Sequence, residues 1–123
     1  MQATAILFAA TANPEESRRF YEEVMGLRFV SDHPYAIVFD INGIMLRVQK
    51  VAEVLDLPYT ALGFQVDDLQ QSVVELQGKG VEFESFAFLE QDDNGIWTTP
   101  DGARVAWCRD PDGSMVSLTQ HAG

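Results

Sequence analysis

The chain contains one pattern twice, and this duplication restricts the folds open to it. Residues 13–29 and 68–83 each follow an apolar, strand-like run, begin with an Asx residue, and end at a glycine before an apolar pair. Each Asx residue has Glu16 or Gln71 three positions later, which is typical of a helix start, and glycine is typical of a helix end. The pattern predicts two copies of a strand–helix–strands unit whose sheets face each other, with the functional site between them.

The length of the chain indicates that the two copies are halves of one body. A chain of 123 residues can bury a core but is too short for two independent domains. We therefore predict a single domain over residues 1–123, with a first module over about 1–50 and a second over about 59–121.

Composition excludes several classes of partner. The net charge of −11 argues against nucleic acid and anionic membranes, whereas it is compatible with a cationic ligand or simply with solubility. No apolar run approaches the roughly 20 residues that span a bilayer. The apolar first ten residues lack a basic start and are interpreted as a strand, so we expect a cytoplasmic protein. A single cysteine, Cys108, excludes an internal disulfide and a Cys-rich zinc site.

Both helices are predicted from their ends and from their apolar spacing. The first is expected to begin at Asn13 as N-cap and to run to about Met25 before Gly26; the second begins at Asp68 and ends near Gly78. Apolar and small residues recur at helical spacing on one face of each helix. These residues are Ser17, Phe20, Tyr21 and Val24 in the first helix, and Leu69, Ser72, Val73 and Leu76 in the second.

The dipeptide Asn42-Gly43 predicts a two-residue hairpin turn. Pairing Ile41 with Ile44 then fixes the register of both strands, because side chains alternate between the two faces of a sheet. One face, facing the helices, would carry Ile37, Phe39, Ile41, Ile44, Leu46 and Val48. The other, facing inward, would carry Val38, Asp40, Met45 and Arg47, joined by Ile6 and Phe8 of the first strand.

A second hairpin is predicted around Asp110-Pro111-Asp112-Gly113. If Asp110 and Gly113 flank a two-residue turn, Trp107 pairs with Val116 on the helix side. The residues that would then point inward are Arg104, Ala106, Cys108, Met115, Ser117 and Thr119, with Ala61, Gly63 and Gln65 from the preceding strand. A loop one residue longer or shorter would exchange the two faces of the hairpin strands.

Residues 84–100 have no counterpart in the first module. This insertion carries Phe86, Phe88 and Trp97 together with an acidic cluster, and it is expected to form an extra strand edge, a lid, or a solvated hairpin extension. The acidic cluster, Glu90, Asp92 and Asp93, lacks the spacing of a calcium loop.

The order of these features resembles the vicinal oxygen chelate superfamily, which includes glyoxalases, bleomycin resistance proteins and extradiol dioxygenases. The resemblance covers essentially the whole chain and rests on Phe20-Tyr21 leading to Gly26-Leu27 and Phe29, on Val66-Asp67-Asp68-Leu69, and on Asp110-Pro111-Asp112-Gly113. It implies an α+β fold of two tandem βαβββ modules that form a cupped eight-stranded mixed sheet with helices on the convex side. It also implies a homodimer and a ligand on the concave side.

Enzymes of that superfamily hold a divalent metal through His or Glu at four strand positions. In this chain those positions fall on Ile6, Met45 (Leu46 if the register shifts), Ala61 and Ser117. None is a good ligand for a catalytic divalent ion, so we expect no metal and no cofactor. The two histidines, His33 and His121, are weaker candidates for a ligand or base.

The resemblance therefore favours a metal-independent small-molecule-binding protein, holding its ligand on the concave surface or in a dimer groove, with drug or metabolite sequestration as its role. The alternative is a lyase or dioxygenase-like enzyme with an unconventional active site. Arg47 would clamp a carboxylate or phosphate, unless Asp40 neutralises it or it extends to the rim. The candidate ligand-binding residues are Phe8, Asp40, Met45, Arg47, Gln65, Arg104, Cys108, Ser117 and Thr119.

Overall fold

A computed structural model describes all residues, 1–123, and contains the two predicted βαβββ modules. The elements in chain order are β1 (Ile6–Thr11), α1 (Pro14–Arg19), a π-helical turn (Phe20–Val24), β2 (Arg28–His33), β3 (Ala36–Ile41), β4 (Ile44–Lys50), β5 (Leu62–Gln65), α2 (Leu69–Gly78), β6 (Trp97–Thr98), β7 (Arg104–Arg109) and β8 (Met115–Gln120). They form two four-stranded mixed sheets, in the orders β1-β4-β3-β2 and β5-β8-β7-β6. The predicted α+β class is confirmed.

Contacts along the chain divide it into two compact units. The first comprises residues 1–56 together with 110–113, and the second comprises 57–109 together with 114–123. In each unit the first strand pairs in parallel with the last strand, and the remaining pairs are antiparallel. None of the helices has the length and apolar character that crossing a bilayer requires.

The first helical segment departs from a regular α-helix halfway along. Beyond α1 the backbone widens into the π-helical turn, and the Met25 amide donates to the Phe20 carbonyl at 2.8 Å. Gly26, with φ of 76°, then ends the segment where the sequence predicts. Asn13 occupies the N-cap position, but its side chain makes no capping bond. The side-chain Nδ2 of Asn13 instead donates to Asp112 Oδ1 at 3.0 Å.

The core of the first unit forms between this helical segment and one face of the first sheet. The β3–β4 hairpin has the predicted register, with Ile41 opposite Ile44, and its turn residues Asn42 and Gly43 both have positive φ. The fully buried strand side chains on the helix-facing side are Ile37, Phe39, Leu46 and Val48. Tyr21 is also fully buried, and its ring centroid lies 5.9 Å from that of Phe39.

The second unit buries the apolar face of α2 against β7 and β8. Asp68 Oδ1 accepts the Gln71 backbone amide at 3.1 Å, which confirms the predicted N-cap. The buried residues of α2 are Leu69, Val73 and Leu76, and those of the facing strands are Ala106, Cys108, Val116 and Leu118. Leu62 and Phe64 of β5 pair with Val116 and Leu118, as their predicted place on the helix side requires.

The register predicted for the last hairpin is wrong by one residue. The first pair is Arg109 with Met115, so residues 110–114 form the loop, and Cys108 rather than Trp107 lies opposite Val116. Asp110 lies outside the ladder, and its Oδ2 accepts the Tyr21 hydroxyl at 2.8 Å. The shift exchanges the faces of β7. Arg104, Ala106 and Cys108 therefore lie on the helix side, and Val105 and Trp107 on the opposite face.

The insertion over 84–100 adds a short edge strand and an ordered loop. Trp97 and Thr98 form β6 and pair with Val105 and Arg104. The Gln91 side chain organises the loop: Oε1 accepts the Phe86 amide at 2.7 Å, while Nε2 donates to the Glu84 carbonyl at 2.9 Å and the Gly95 carbonyl at 2.8 Å. Of the alternatives that the sequence leaves open, the extra strand edge is the one that forms.

Candidate functional site

The face of the first sheet that points away from the helical segment is rich in exposed apolar side chains. Pairing of β1 with β4 places Ile6 beside Met45 and Phe8 beside Arg47. The exposed fractions of Ile6, Phe8 and Met45 are 47%, 50% and 39%. We call this surface the first open face; it is formed by Ile6, Phe8, Asp40, Met45 and Arg47, together with Val38, which is itself buried. Exposed apolar side chains grouped in this way are typical of a binding surface.

Arg47 is the charged group at the centre of the first open face. It is half-buried, and its neighbours across the sheet are Phe8 on β1 and Val38 on β3. Its guanidinium makes no hydrogen bond and no ion pair, whereas Asp40 accepts from the Gly43 amide at 3.4 Å and lies 3.6 Å from Arg28 Nε. The ion pair between Asp40 and Arg47 is thus not formed. The guanidinium is available to a ligand oxygen.

The second sheet has a corresponding face that points away from α2. Ser117 lies between Trp107 on β7 and Gly63 on β5, and a Cβ atom at Gly63 would lie 2.7 Å from Ser117 Oγ. The glycine therefore leaves space for the hydroxyl. We call this surface the second open face; it comprises Gly63, Gln65, Val105, Trp107, Met115, Ser117 and Thr119.

The structure divides the predicted ligand-binding residues among three places. Phe8, Asp40, Met45 and Arg47 share the first open face, and Gln65, Ser117 and Thr119 share the second. Arg104 and Cys108 lie on the helix side of β7, where Cys108 is fully buried, because of the register shift. The sequence-based register placed Trp107 on the wrong face for the same reason. Assigning residues 110–114 to the loop would have placed Trp107 on the open face.

The residues at the four strand positions do not fit the metal that the resemblance implies. Ile6 and Met45 are direct neighbours and offer a hydrocarbon and a thioether, while Ala61 and Ser117 offer a methyl group and a neutral hydroxyl. Catalytic divalent ions are bound mainly by imidazole and carboxylate groups in proteins. Across residues 1–123, no three His, Cys, Asp or Glu side chains come together in a way that could hold a metal ion.

The Asp101 carboxyl group, in the loop between β6 and β7, has a lowered pKa. The Thr99 hydroxyl donates to the Asp101 carboxylate and, as the largest cause, lowers the pKa of Asp101. The Thr99 hydroxyl oxygen also accepts the Ala103 backbone amide at 3.0 Å. These bonds are typical of a turn, and they do not involve either open face.

Comparisons with known proteins agree with this architecture. The family model described as "Glyoxalase/Bleomycin resistance protein/Dioxygenase superfamily" matches residues 4–118. No curated protein matches.

Several solved structures share the fold over nearly their whole length. A glyoxalase family protein from Bacillus anthracis superposes with a TM-score of 0.76 at 18% identity, over 99% of this chain and 97% of that one. Lactoylglutathione lyase from Agrobacterium tumefaciens gives 0.72 at 18% identity, over 97% and 95%. A fosfomycin resistance protein from Listeria monocytogenes gives 0.78 at 12% identity, over 99% and 95%. At these identities the likeness concerns the fold alone.

Proposed function

The chain belongs to the glyoxalase/bleomycin resistance protein/dioxygenase superfamily, and from this premise we propose that it is a metal-independent protein that binds a small molecule with an apolar body and a carboxylate. The observation that carries the proposal is the half-buried guanidinium of Arg47, which has no partner on an otherwise mostly apolar, exposed surface. Fold alone does not assign an activity, whereas an unpartnered cation on an apolar surface has a defined binding chemistry.

The two chemical parts of the ligand follow from the two parts of the first open face. Phe8 lies beside Arg47 on β1, and Met45 lies two residues before Arg47 on β4; both are exposed, and covering them with an apolar ligand would remove their side chains from water. A carboxylate would accept two parallel N–H bonds from the guanidinium. A hydrogen bond to a charged group contributes about 1.5–3 kcal/mol, which corresponds to roughly 10- to 150-fold in affinity.

The proposal favours binding over catalysis because of the side chains at the strand positions used by related enzymes. Two solved structures with this fold are named a lactoylglutathione lyase and a fosfomycin resistance protein. At the four strand positions, however, this chain has Ile6, Met45, Ala61 and Ser117. None of these offers the imidazole or carboxylate groups that bind divalent ions in proteins. We further propose a cytoplasmic location, as expected from the first residues of the sequence, and a homodimer, as the resemblance implies; sedimentation velocity would test the dimer.

Calorimetric titration with 2-naphthoate, a planar apolar carboxylate, tests the role of Arg47. We expect saturable binding that Arg47→Met weakens by at least about tenfold and that Arg47→Lys, which keeps the charge but loses the planar fork, restores only in part. Arg19→Met is the matched control, because Arg19 is exposed on α1, on the opposite side of the sheet from the first open face. Absence of binding to the wild type, or equal affinity of Arg47→Met, would refute this role.

Metal independence needs its own measurement. Elemental analysis of untagged protein and thermal shifts with nickel, zinc, manganese and iron should show no stoichiometric metal and no rise in melting temperature. A tightly bound stoichiometric metal would overturn this part of the proposal and would favour the lyase or dioxygenase-like alternative.

A further inference from the structure

An open pocket of about 640 Å³ lies in the second unit, in the loop that leads to β6. Its apolar walls are Phe88, Leu89, Ile96 and Trp97, and its acidic side chains are Glu90 and Asp92. Ile96 is buried, Trp97 is half-buried, and Phe88 is 82% exposed. A volume of this size is typical of small-molecule sites.

The aromatic wall belongs to a continuous series of rings. The centroid of Phe88 lies 5.6 Å from that of Phe86, which meets Trp107 edge-on at 5.4 Å. Trp107 in turn stacks on Trp97 with an interplanar angle of 28° and a centroid distance of 6.2 Å. The two ends of the series, Phe88 and Trp97, are the members that line the pocket. The pocket therefore offers aromatic surface to a planar ligand.

Hydrogen bonds hold the loop in this shape without a ligand. Asp92 Oδ1 accepts the backbone amides of Asn94 and Ile96, each at 2.9 Å, and the Gln91 amide bonds to three further backbone groups. Because the walls are already ordered, binding would require little additional ordering of the chain.

The charge of the pocket selects the sign of the ligand. No Lys, Arg or His lines it, and Glu90 makes no hydrogen bond or ion pair. The net charge of the chain, −11, adds a long-range attraction for cations. Aromatic faces also attract cations directly.

We propose that this pocket binds a planar aromatic cation, such as a quaternised nitrogen heterocycle. The proposal goes beyond the carboxylate-binding surface around Arg47, because it concerns a different unit of the chain and a ligand of opposite charge. It rests on the combination of aromatic walls, a preordered loop and two acidic side chains in a lining that has no cationic one.

Titration with N-methylquinolinium, followed by two-dimensional NMR of the indole N–H groups, tests the proposal. The chain has two tryptophans, so Trp97→Phe assigns both signals. We expect a saturable shift of the Trp97 signal, weakened about fivefold by Phe88→Ala and about threefold by Glu90→Gln at low salt. Both side chains are exposed, so both variants should fold.

Two controls separate this site from general effects. Tyr35→Ala removes another aromatic side chain, 78% exposed and in the first unit, and should leave the titration unchanged. Arg47→Met should also leave it unchanged, so failure of the carboxylate site and failure of this one are distinguishable. No saturable shift of Trp97, an unchanged affinity in both pocket variants, or equal binding of 2-naphthoate to this pocket would overturn the proposal.

Discussion

Substituting Tyr21 by Phe tests how strongly the loop over 110–114 is held. The Tyr21 hydroxyl donates to Asp110 Oδ2 at 2.8 Å, between a tyrosine that is fully buried and a carboxylate residue that is 5% exposed. Phenylalanine keeps the ring, which packs against Phe20 and Phe39 with centroid distances of 5.0 and 5.9 Å. The substitution therefore removes the hydroxyl and keeps the packing of the ring.

The expected cost follows from the burial of this bond. The substitution keeps the bond from the Asp112 amide to Asp110 Oδ1 at 3.0 Å and removes the tyrosine donor from Oδ2 of a residue that is 5% exposed. Loss of a hydrogen bond to a charged, buried group destabilises a protein by about 1.5–3 kcal/mol. For a chain of this length that is a fall of very roughly 5–15 °C in melting temperature.

Urea unfolding followed by circular dichroism would measure the loss, with calorimetry as a second probe of two-state behaviour. Tyr35→Phe is the matched control: its ring is 78% exposed, so losing its hydroxyl should change the unfolding free energy by less than about 0.5 kcal/mol. A loss for Tyr21→Phe as small as that of the control would refute the view that this bond holds the loop.

Three further substitutions test local features of the fold. Asp68→Ala should lower the unfolding free energy by about 1 kcal/mol in urea, because it removes the cap on the Gln71 amide, and an unchanged midpoint would contradict that role. Gly43→Ala should cost about 1–2 kcal/mol, since φ is 90° there; a neutral result would argue against the turn geometry. Gly63→Ala forces the Ser117 hydroxyl, 2.7 Å from the new methyl, into another rotamer at a cost of about 0.5–1.5 kcal/mol. A double-mutant cycle with Ser117→Ala should show recovery, and strict additivity would count against the contact.

Features that depend on neighbouring residues were predictable from the sequence. The β3–β4 register follows from Asn42-Gly43, because both residues take positive φ and thereby set a two-residue turn. The α2 cap at Asp68 and the buried side of that helix are equally local, since one turn of helix brings these groups together. The duplication itself is a property of the sequence and indicated the two βαβββ modules.

The composition of the candidate surfaces depended on contacts between distant residues. Asp110 lies outside the β7–β8 ladder and accepts a hydrogen bond from Tyr21, 89 positions away, and the five residues 110–114 form the loop in place of the predicted two-residue turn. The longer loop moves Trp107 onto the open face of the second sheet and Cys108 into the core, since one residue of register exchanges the faces of a strand.

Tertiary structure also decided that the Arg47 guanidinium has no hydrogen-bond or ion-pair partner. The sequence determined that Asp40 and Arg47 share a face, because the hairpin turn sets the parity of both strands. It did not determine which arginine lies next to Asp40. That arginine is Arg28, because β2 pairs with the other edge of β3 and places Arg28 opposite Asp40. The local backbone angles of the turn therefore determine the two faces of this hairpin from the sequence alone. The pairing of β2 with β3 decides that Asp40 lies next to Arg28, and it leaves the Arg47 guanidinium without a partner.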